Sequence, residues 1–497
     1  MTDGTATPRR GGLLLALAVL LLVGVARAAG AQGEATAKAD HTDPFAFVVL
    51  GLASVVTIAM LGRWLAGRFR QPPVLGELLI GVLVGNVGYW LGLPLFVLVM
   101  HLGDARPVFR EVWRSGEAVS VVAARVLGPE SLEPGGVAAE LLSLTIGPHG
   151  LPLVYAGFAL SLFSVLGVLI LAFMVGLQSS VAELRKVGIQ ASLVAVVGVA
   201  APFVLGVVLG VWLLPEEGTS AHLFVAATLC ATSVGITARV LKDLGKVQTA
   251  EARVILGAAL IDDVLGLLLL AIVAGIAATG SVDPVEVARL SGLSVLFLGV
   301  VLLFGERIAR GAAHIFERLD REGGKLLFPL ALAFSLAWVA DRIQLASIVG
   351  AFAGGLIISE EYFAKGSRGW KIEDLVAPLE TIFAPVFFVL MGMQVNLASF
   401  ADPSTLLLAG AFTAAAIVGK LVAGLPAGRG VDRLSVGMGM VPRGEVGLIF
   451  ASIGKTMGVV SDAVFSAIVI MVIVTTFVTP IALRWTMRRA QEAPALK

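Results

Sequence analysis

Apolar runs recur along this chain from residue 44 to residue 484, and they constrain the fold more than any other feature. Each run is about 20 residues long, the length at which a helix spans the hydrocarbon core of a bilayer. Composition agrees, because 58% of the residues are hydrophobic and only 14% are charged. The chain of 497 residues is therefore predicted to be an all-α polytopic membrane protein.

Thirteen spans are predicted from these runs. They lie at residues 44–65, 73–92, 156–178, 188–214, 221–241, 251–278, 286–305, 325–341, 344–359, 376–397, 404–427, 434–457 and 462–484. Residues 1–31 are predicted to form a signal peptide, because Arg9 and Arg10 precede an apolar stretch that ends in small residues. A signal anchor that stays attached is the alternative. Residues 93–155 are predicted to form an extracytoplasmic loop, with either one short interfacial helix or plain solvated chain.

Lysine and arginine are concentrated in the short loops on one side of the predicted spans. The positively charged side of a membrane protein faces the cytoplasm. We therefore expect an extracytoplasmic N-terminus and a short cytoplasmic tail at 485–497, in the inner (plasma) membrane. The residues that carry this bias include Arg68, Arg70, Arg185, Lys186, Lys242, Lys246, Arg307, Arg310, Arg488 and Arg489.

Two adjacent carboxylates, Asp262 and Asp263, lie near the middle of span 251–278. An ionisable residue at mid-membrane costs about 2.5–3.5 kcal/mol on insertion scales, so each one is a candidate functional residue. Adjacent helical residues point about 100° apart, so both carboxylates can border one cavity. A carboxylate there can bind either a proton or a hard cation, and that competition is a minimal antiport mechanism. The alternative is a pair of helix-end acids in a wrongly placed span.

Lys420, in span 404–427, lies at a depth comparable to that of Asp263. We expect it to form an ion pair that holds Asp263 when no cation is bound. A lysine that snorkels to the interface is the alternative.

Two spans, 221–241 and 434–457, are interrupted near their middle by glycine, proline or hydroxyl residues. Broken helices at mid-membrane expose helix ends and free carbonyls that bind ions. For the hydroxyl residues of the first break, ordinary close packing is the alternative. In the second break, the proline leaves one carbonyl without a donor, and the charged residues could neutralise the helix ends. The predicted break residues are Thr232, Ser233 and Gly235, and Pro442, Arg443 and Glu445.

The two broken spans occupy matching places in two halves of the chain. One precedes the aspartate-bearing span and the other precedes the final span. Spans one to six and eight to thirteen would then be two copies, joined by the span at 286–305. The odd linker span makes the copies start on opposite sides of the membrane, which is the inverted topology of many transporters.

The motifs resemble, in order, those of the bacterial monovalent cation/proton antiporters of the NapA- and Kef-like group. The resemblance extends over residues 44–484 and rests on five motifs in register. They are Pro73-Val-Leu-Gly-Glu77-Leu-Leu-Ile-Gly81, Phe173-Met-Val-Gly-Leu177, Ala231-Thr-Ser-Val-Gly-Ile-Thr237, Asp262-Asp263 and Val441-Pro-Arg-Gly-Glu445.

The resemblance implies a homodimer whose protomers each contain a dimer domain and a six-helix core domain. Two discontinuous helices cross in the core, which is thought to move like an elevator. Placed on this chain, the dimer domain comprises 44–92, 156–178 and 325–397, the core 188–278 and 404–484, and the linker span 286–305.

The resemblance also implies roles for single residues. Asp263 would be the ion-binding carboxylate with Asp262 as its neighbour, and Lys420 would be the lysine associated with electrogenic exchange. Thr232 would sit at the first break and Glu445 at the second. We therefore expect the monovalent cation to bind at Asp263, Asp262 and Thr232. The potassium-efflux branch tends to replace the first aspartate, so its presence here favours exchange of Na⁺, or Li⁺, for H⁺.

Other functions are disfavoured by the sequence. The net charge of +1 argues against a nucleic-acid partner, and the single cysteine excludes a multi-cysteine metal site. No Walker-type glycine loop is found, and no cofactor is predicted. Two adjacent aspartates on one helix do not fit an intramembrane protease, so no enzyme is predicted. K⁺/H⁺ exchange on the same scaffold, cation-coupled symport and a passive channel remain as alternatives.

Overall fold

The structure is a computed structural model that describes most of the chain. The described residues are 44–69, 71–133, 137–146, 150–178, 188–246, 248–279, 284–319, 323–343, 345–363, 370–428 and 430–492. The predicted signal peptide at 1–31 lies outside them, and the predicted cytoplasmic tail is described only as far as residue 492.

The described residues form helices and connecting turns, and no β-strand occurs among them. A π-helical turn, Val301–Gly305, joins two of the helices into one continuous element. The helices are α1 (Pro44–Arg68), α2 (Pro73–Trp90), α3 (Pro94–Met100), α4 (Leu102–Ser115), α5 (Val119–Leu127), α6 (Val137–Ile146), α7 (Gly150–Gln178), α8 (Ile189–Leu213), α9 (Thr219–Cys230), α10 (Val234–Asp243), α11 (Ala250–Thr279), α12 (Pro284–Val300), α13 (Glu306–Leu319), α14 (Gly324–Arg342), α15 (Ser347–Ile357), α16 (Ile372–Met393), α17 (Pro403–Ala423), α18 (Arg433–Gly439), α19 (Glu445–Thr456) and α20 (Asp462–Glu492).

Ten helices in the described part of the chain are long and apolar enough to cross a membrane, and three shorter helices are also apolar. The three shorter ones lie at Thr219–Cys230, Ser347–Ile357 and Val446–Thr456. The predicted all-α membrane fold is therefore confirmed, whereas the number of thirteen spans stays a prediction. Each predicted broken span consists of two short helices separated by a few non-helical residues.

The described residues divide into two compact units, and the first contains those up to 167 together with 381–397. In this unit α1 and α2 approach closely, since a Cβ atom on Gly76 would lie 2.0 Å from the carbonyl oxygen of Gly62. Buried Asn86 ties α2 to the end of α16. Its side-chain amide donates to Val395 O at 2.7 Å, and its side-chain oxygen accepts from Leu397 N at 2.9 Å.

Residues 93–155, predicted as a loop with at most one short helix, contain four complete helices and the start of α7 in the described part. These helices pack around their own apolar clusters, so the segment is folded rather than plain solvated chain. The first cluster comprises Leu98, Ala105, Leu141 and Leu153, and the second Val108, Val122, Ala123 and Ala138.

The second compact unit contains residues 168–380 and 398 onward. Within it α8 packs against α9, α11 and α17, and α17 packs against α20. A Cβ atom on Gly419 would lie 2.8 Å from the Cα atom of Pro202, so glycine allows α17 to approach α8. Small and aliphatic side chains, among them Val194, Ile255 and Ala423, fill the space between these helices. This bundle carries the polar residues described next.

Candidate functional site

The aspartate pair lies well inside α11, a helix of 30 residues. Asp262 and Asp263 are only 2% and 5% exposed. Long apolar stretches on both sides make this helix form as one continuous element through the membrane. The two carboxylates are therefore buried inside the bundle rather than placed at a helix end.

Lys420, in the last turn of α17, is fully buried, so the snorkelling alternative is wrong. Its Nζ atom lies 2.8 Å from Asp262 Oδ1, and both side chains are shielded from solvent. An ion pair was predicted for this lysine, but with Asp263, and the structure corrects the partner to Asp262. The reason is the angle of about 100° between adjacent helical positions, which turns one carboxylate towards α17 and the other away from it.

Asp263 faces a cavity of about 20 Å³, which is room for one water molecule. The rest of the lining is apolar and comes from α7, α11, α15 and α19, including Ile348, Phe352 and Val446. The two neighbouring carboxylates therefore lie in different surroundings. Asp262 is held by an ammonium group, and Asp263 borders a small apolar chamber.

The two breaks cross each other and are joined by hydrogen bonds. α9 ends at Cys230 and α10 begins at Val234, so residues 231–233 form the first break. The backbone N–H of Ser233 donates to Pro442 O at 2.9 Å. Thr232 Oγ1 donates to Met440 O at 3.3 Å. A backbone that leaves the helical path inside a bundle needs such partners, because no water reaches it there.

Arg443 is fully buried in the second break and binds the carbonyl oxygens that the broken helices leave open. Its guanidinium donates to Leu229 O at the end of α9 at 2.6 Å and to Ala416 O of α17 at 3.2 Å. It also donates to Met440 O and Val441 O at 3.3 and 3.1 Å. A positive charge among the carboxyl ends of two half-helices is the favourable arrangement for helix dipoles. Its planar fork of donors suits several acceptors at once.

The remaining predicted residues differ in what the structure shows of them. Pro442 is buried and contributes the carbonyl that Ser233 binds. Gly235 lies in the first turn of α10, after the break. Glu445 begins α19, and its side chain lies outside the described residues.

Two threonines that were not among the predicted site residues hold the crossing in place. Thr237 Oγ1 donates to Gly439 O at 2.7 Å, and Thr476 Oγ1 of α20 donates to Arg443 O at 2.7 Å. Both are buried. The signal available in the sequence was the presence of hydroxyl residues inside otherwise apolar spans.

The described residues contain no cluster of three histidine, cysteine, aspartate or glutamate side chains that could hold a metal ion. Oxygen ligands for a passing cation are nevertheless available beside the crossing. Asp262 Oδ2 has no hydrogen-bond partner among the described residues. Two buried carboxylates suit a hard cation rather than a tightly held transition metal.

Comparisons with known proteins agree with this architecture. A family model described as the transmembrane region of sodium/hydrogen exchangers matches residues 119–489. The high-affinity Na⁺/H⁺ antiporter NhaS3 of Synechocystis sp. is 35% identical, over 90% of this chain and 92% of that protein. The Na⁺/H⁺-K⁺ antiporter GerN of Bacillus cereus is 34% identical, over 71% of this chain and 90% of its own length.

A solved structure shares the fold. The sodium proton antiporter MjNhaP1 from Methanocaldococcus jannaschii superimposes with a TM-score of 0.56 at 13% identity, over 90% of this chain and 99% of that one. Fold, buried charges and relatives together define a multi-pass membrane protein of the cation/proton antiporter class. The chain belongs to the sodium/hydrogen exchanger family, and the predicted resemblance is confirmed.

Proposed function

We propose that this protein exchanges Na⁺ for H⁺ across the membrane, with proton and cation competing for Asp263. The observation that carries the proposal is the buried Asp262–Lys420 pair, at 2.8 Å, beside a second buried carboxylate and the crossing of two broken helices. NhaS3 and GerN are named as Na⁺/H⁺ antiporters, which supports the choice of ions.

Asp263 is proposed as the exchanging group because its chamber is small and apolar. A cation that enters a space of about 20 Å³ must lose most of its water shell. Carboxylate and carbonyl oxygens then have to replace that water. The same carboxylate holds a proton when no cation is present, so one site serves both ions in turn. Asp262 and Thr232 are the further oxygen ligands that we propose.

Lys420 is proposed to make the exchange electrogenic. While Asp262 accepts a hydrogen bond from Lys420, the two charges cancel inside the bundle. A cation that binds Asp262 would displace the ammonium group and leave it without a partner in a fully buried place. A buried, unpaired charge is costly, so the displaced lysine would release its proton. More protons than cations would then move in each cycle.

We propose further that access alternates by an elevator movement within a homodimer, as the resemblance implies. The core domain would comprise α8–α11 and α17–α20, and the dimer domain 44–92, 156–178 and 325–397. The N-terminus would be extracytoplasmic and the C-terminus cytoplasmic, in the inner membrane. The arginine and lysine bias of the loops supports this orientation.

A second candidate is K⁺/H⁺ exchange at the same site. One relative, GerN, is named as an Na⁺/H⁺-K⁺ antiporter. Oxygen ligands accept either ion, so the same two carboxylates could serve both.

Reconstituted liposomes with an imposed pH gradient and a trapped pH dye test these proposals. Na⁺, Li⁺ or K⁺ is added outside, with and without valinomycin to set the membrane potential. We expect Na⁺-dependent proton movement that is abolished in Asp263→Asn. In the wild type the rate should change with the potential, and in Lys420→Gln that sensitivity should be lost.

The outcomes separate the alternatives. A response to K⁺ equal to that for Na⁺ would favour the second candidate. Cation movement without protons would point to a channel or a symporter. Full activity of Asp263→Asn would show that exchange does not depend on this carboxylate.

A further inference from the structure

An internal proline interrupts the hydrogen bonding of helix α8. Pro202 is buried and lies in the middle of this helix, which runs from Ile189 to Leu213. Proline has no backbone N–H, so the carbonyl oxygen of Gly198, four residues earlier, lacks the donor that an α-helix normally supplies. The proline ring also pushes that carbonyl away from the helical path. α8 therefore carries a backbone acceptor that its own hydrogen-bond ladder does not use.

This opened turn of α8, residues 198–202, lies against the buried ion pair. Gly198 is buried, and a Cβ atom on it would lie 3.4 Å from Lys420 Nζ and 3.8 Å from Asp262 Oδ1. A Cβ atom on Gly419 would lie 2.8 Å from the Cα atom of Pro202, so both ends of the turn face α17. A helical carbonyl points along the axis towards the C-terminus. The Gly198 oxygen therefore lies between these two ends, beside the pair.

The thiol of Cys230 approaches the same turn from α9. Its Sγ atom lies 3.3 Å from Val199 O and 3.1 Å from Ala226 O, so the thiol can donate to a carbonyl oxygen of α8. Cys230 is the last residue of α9 and directly precedes the first break at 231–233. The opened turn is thus next to both the ion pair and the first break.

Two oxygen atoms at this place are available to a cation. Asp262 Oδ2 is buried and has no hydrogen-bond partner among the described residues. The Gly198 oxygen lacks its helical donor. A buried acceptor that stays unfilled costs free energy, so a ligand that fills it is stabilised. Carbonyl oxygens released from a helix are the groups with which transporters bind Na⁺ at mid-membrane.

We propose that the Gly198 carbonyl oxygen is a ligand of the transported cation, and that Pro202 is the positioning residue that keeps this oxygen free. The inference rests on the proposed function, and it adds a ligand from α8 to the two carboxylates and Thr232. When a cation displaces Lys420 from Asp262, the Gly198 oxygen replaces part of the water that the ion has lost. Glycine at this position leaves room for the ion beside the pair.

Pro202→Ala tests the inference, because alanine restores the N–H that bonds to the Gly198 oxygen and keeps the Cα and Cβ atoms of residue 202. The full-length protein is reconstituted in liposomes, and exchange is measured against Na⁺ concentration at constant ionic strength. The half-saturating Na⁺ concentration should rise by about two- to tenfold, because an ordinary hydrogen bond must break before the oxygen binds the ion. The maximal rate should change much less. Pro329→Ala removes the buried internal proline of α14 and should leave the Na⁺ dependence unchanged.

Thermal unfolding in detergent gives a readout that does not require transport. Na⁺ should raise the unfolding temperature of the wild type and of Pro329→Ala, because it binds the folded protein. Pro202→Ala should need about two- to tenfold more Na⁺ for the same rise. Without Na⁺ it should unfold no earlier than the wild type, since a helical hydrogen bond is gained. A purely structural role of the proline would lower the stability and leave the Na⁺ dependence unchanged.

Gly198→Ala tests the position of the ion while the carbonyl stays free. The added methyl group would contact Lys420 Nζ and Asp262 Oδ1, at 3.4 and 3.8 Å, and would occupy the space proposed for the cation. The half-saturating Na⁺ concentration should therefore rise. Gly410→Ala is the matched control on α17, because its methyl group would meet no atom within 4 Å. It should keep the wild-type Na⁺ dependence, and an equal dependence in all three proteins would contradict the inference.

The outcomes distinguish this inference from the proposed function. A wild type that shows neither Na⁺-dependent exchange nor stabilisation by Na⁺ overturns the proposed function, and this inference with it. A wild type that responds to Na⁺, with Pro202→Ala responding at the same concentrations, overturns the inference alone. If Pro202→Ala keeps its Na⁺ dependence but loses its sensitivity to the membrane potential, the oxygen serves Lys420 and not the cation, and the inference is wrong.

Discussion

Replacing Lys420 by methionine should strongly destabilise the protein, because it leaves Asp262 as an uncompensated charge in the bundle. The pair is 2.8 Å long and its two side chains are 0% and 1% exposed, so solvent screens it very little. The ammonium group is the one hydrogen-bond donor that the described residues give to Asp262. Removing one partner of such a pair costs about 3–5 kcal/mol. For domains of 150–250 residues, a loss of 1 kcal/mol in the free energy of unfolding lowers the unfolding temperature by about 2–4 °C, and the shift is smaller for a larger cooperative unit. A fall of roughly 5–10 °C in unfolding temperature is therefore expected.

The assay is thermal unfolding in detergent, followed by tryptophan fluorescence and by the amount of monodisperse protein left after heating. Lys325→Met is the matched control. Lys325 pairs with Glu360 at a similar distance, 2.7 Å, but that carboxylate is 42% exposed. A partly exposed pair contributes about 0–1 kcal/mol. The control should therefore change the unfolding temperature by no more than a few degrees.

The double variant Lys420→Met/Asp262→Asn tests whether the unpaired carboxylate causes the loss of stability. Removing both charges eliminates the unpaired carboxylate, so most of the lost stability should return. The reasoning is refuted if Lys420→Met unfolds within about 1 kcal/mol of the wild type, or no earlier than Lys325→Met. A double variant that is less stable than Lys420→Met would equally contradict it.

Three further predictions concern other parts of the molecule. Arg443→Lys should lower the unfolding temperature and slow exchange in liposomes, because one ammonium group cannot bind all four carbonyl oxygens. Each hydrogen bond to the charged group contributes about 1.5–3 kcal/mol. Unchanged stability and transport would contradict this prediction. Asn86→Leu should cost roughly 2–4 kcal/mol, since the Val395 carbonyl and the Leu397 N–H lose the side chain that binds them. The loss is read from thermal unfolding, and a loss below about 1 kcal/mol would refute the reasoning. The Ser404 hydroxyl and the Thr405 backbone N–H hold the pKa of Asp402 below its usual value, so this carboxylate stabilises the fold above about pH 4 and loses that effect as the pH falls further. Asp402→Asn should reduce the fall in unfolding temperature at acid pH. An unchanged curve would show that another group causes that fall.

The sequence alone determined the membrane fold, the two breaks and the charged residues inside the spans. Each of these is a local property of the chain. The length of an apolar run decides whether a helix spans the bilayer, and an aspartate or lysine inside such a run carries a cost that marks it as a candidate functional residue. Thr232 and Pro442 could be placed at breaks because glycine, proline and hydroxyl residues interrupt a helix wherever they cluster. The five motifs in register also identified the family before any fold was known.

Which of these residues meet depends on the three-dimensional packing of the helices. Lys420 and Asp262 are 158 positions apart, and Arg443 reaches a carbonyl oxygen 214 positions away. Such pairings depend on how each helix is rotated about its axis and how closely it packs. The side chains of Asp262 and Asp263 point about 100° apart around the helix axis. The length of an apolar run does not show which of them faces α17. Three of the four helices within 93–155 escaped prediction for a related reason. Each is short and is stabilised by apolar contacts with its neighbours, which a reading of one segment at a time does not detect.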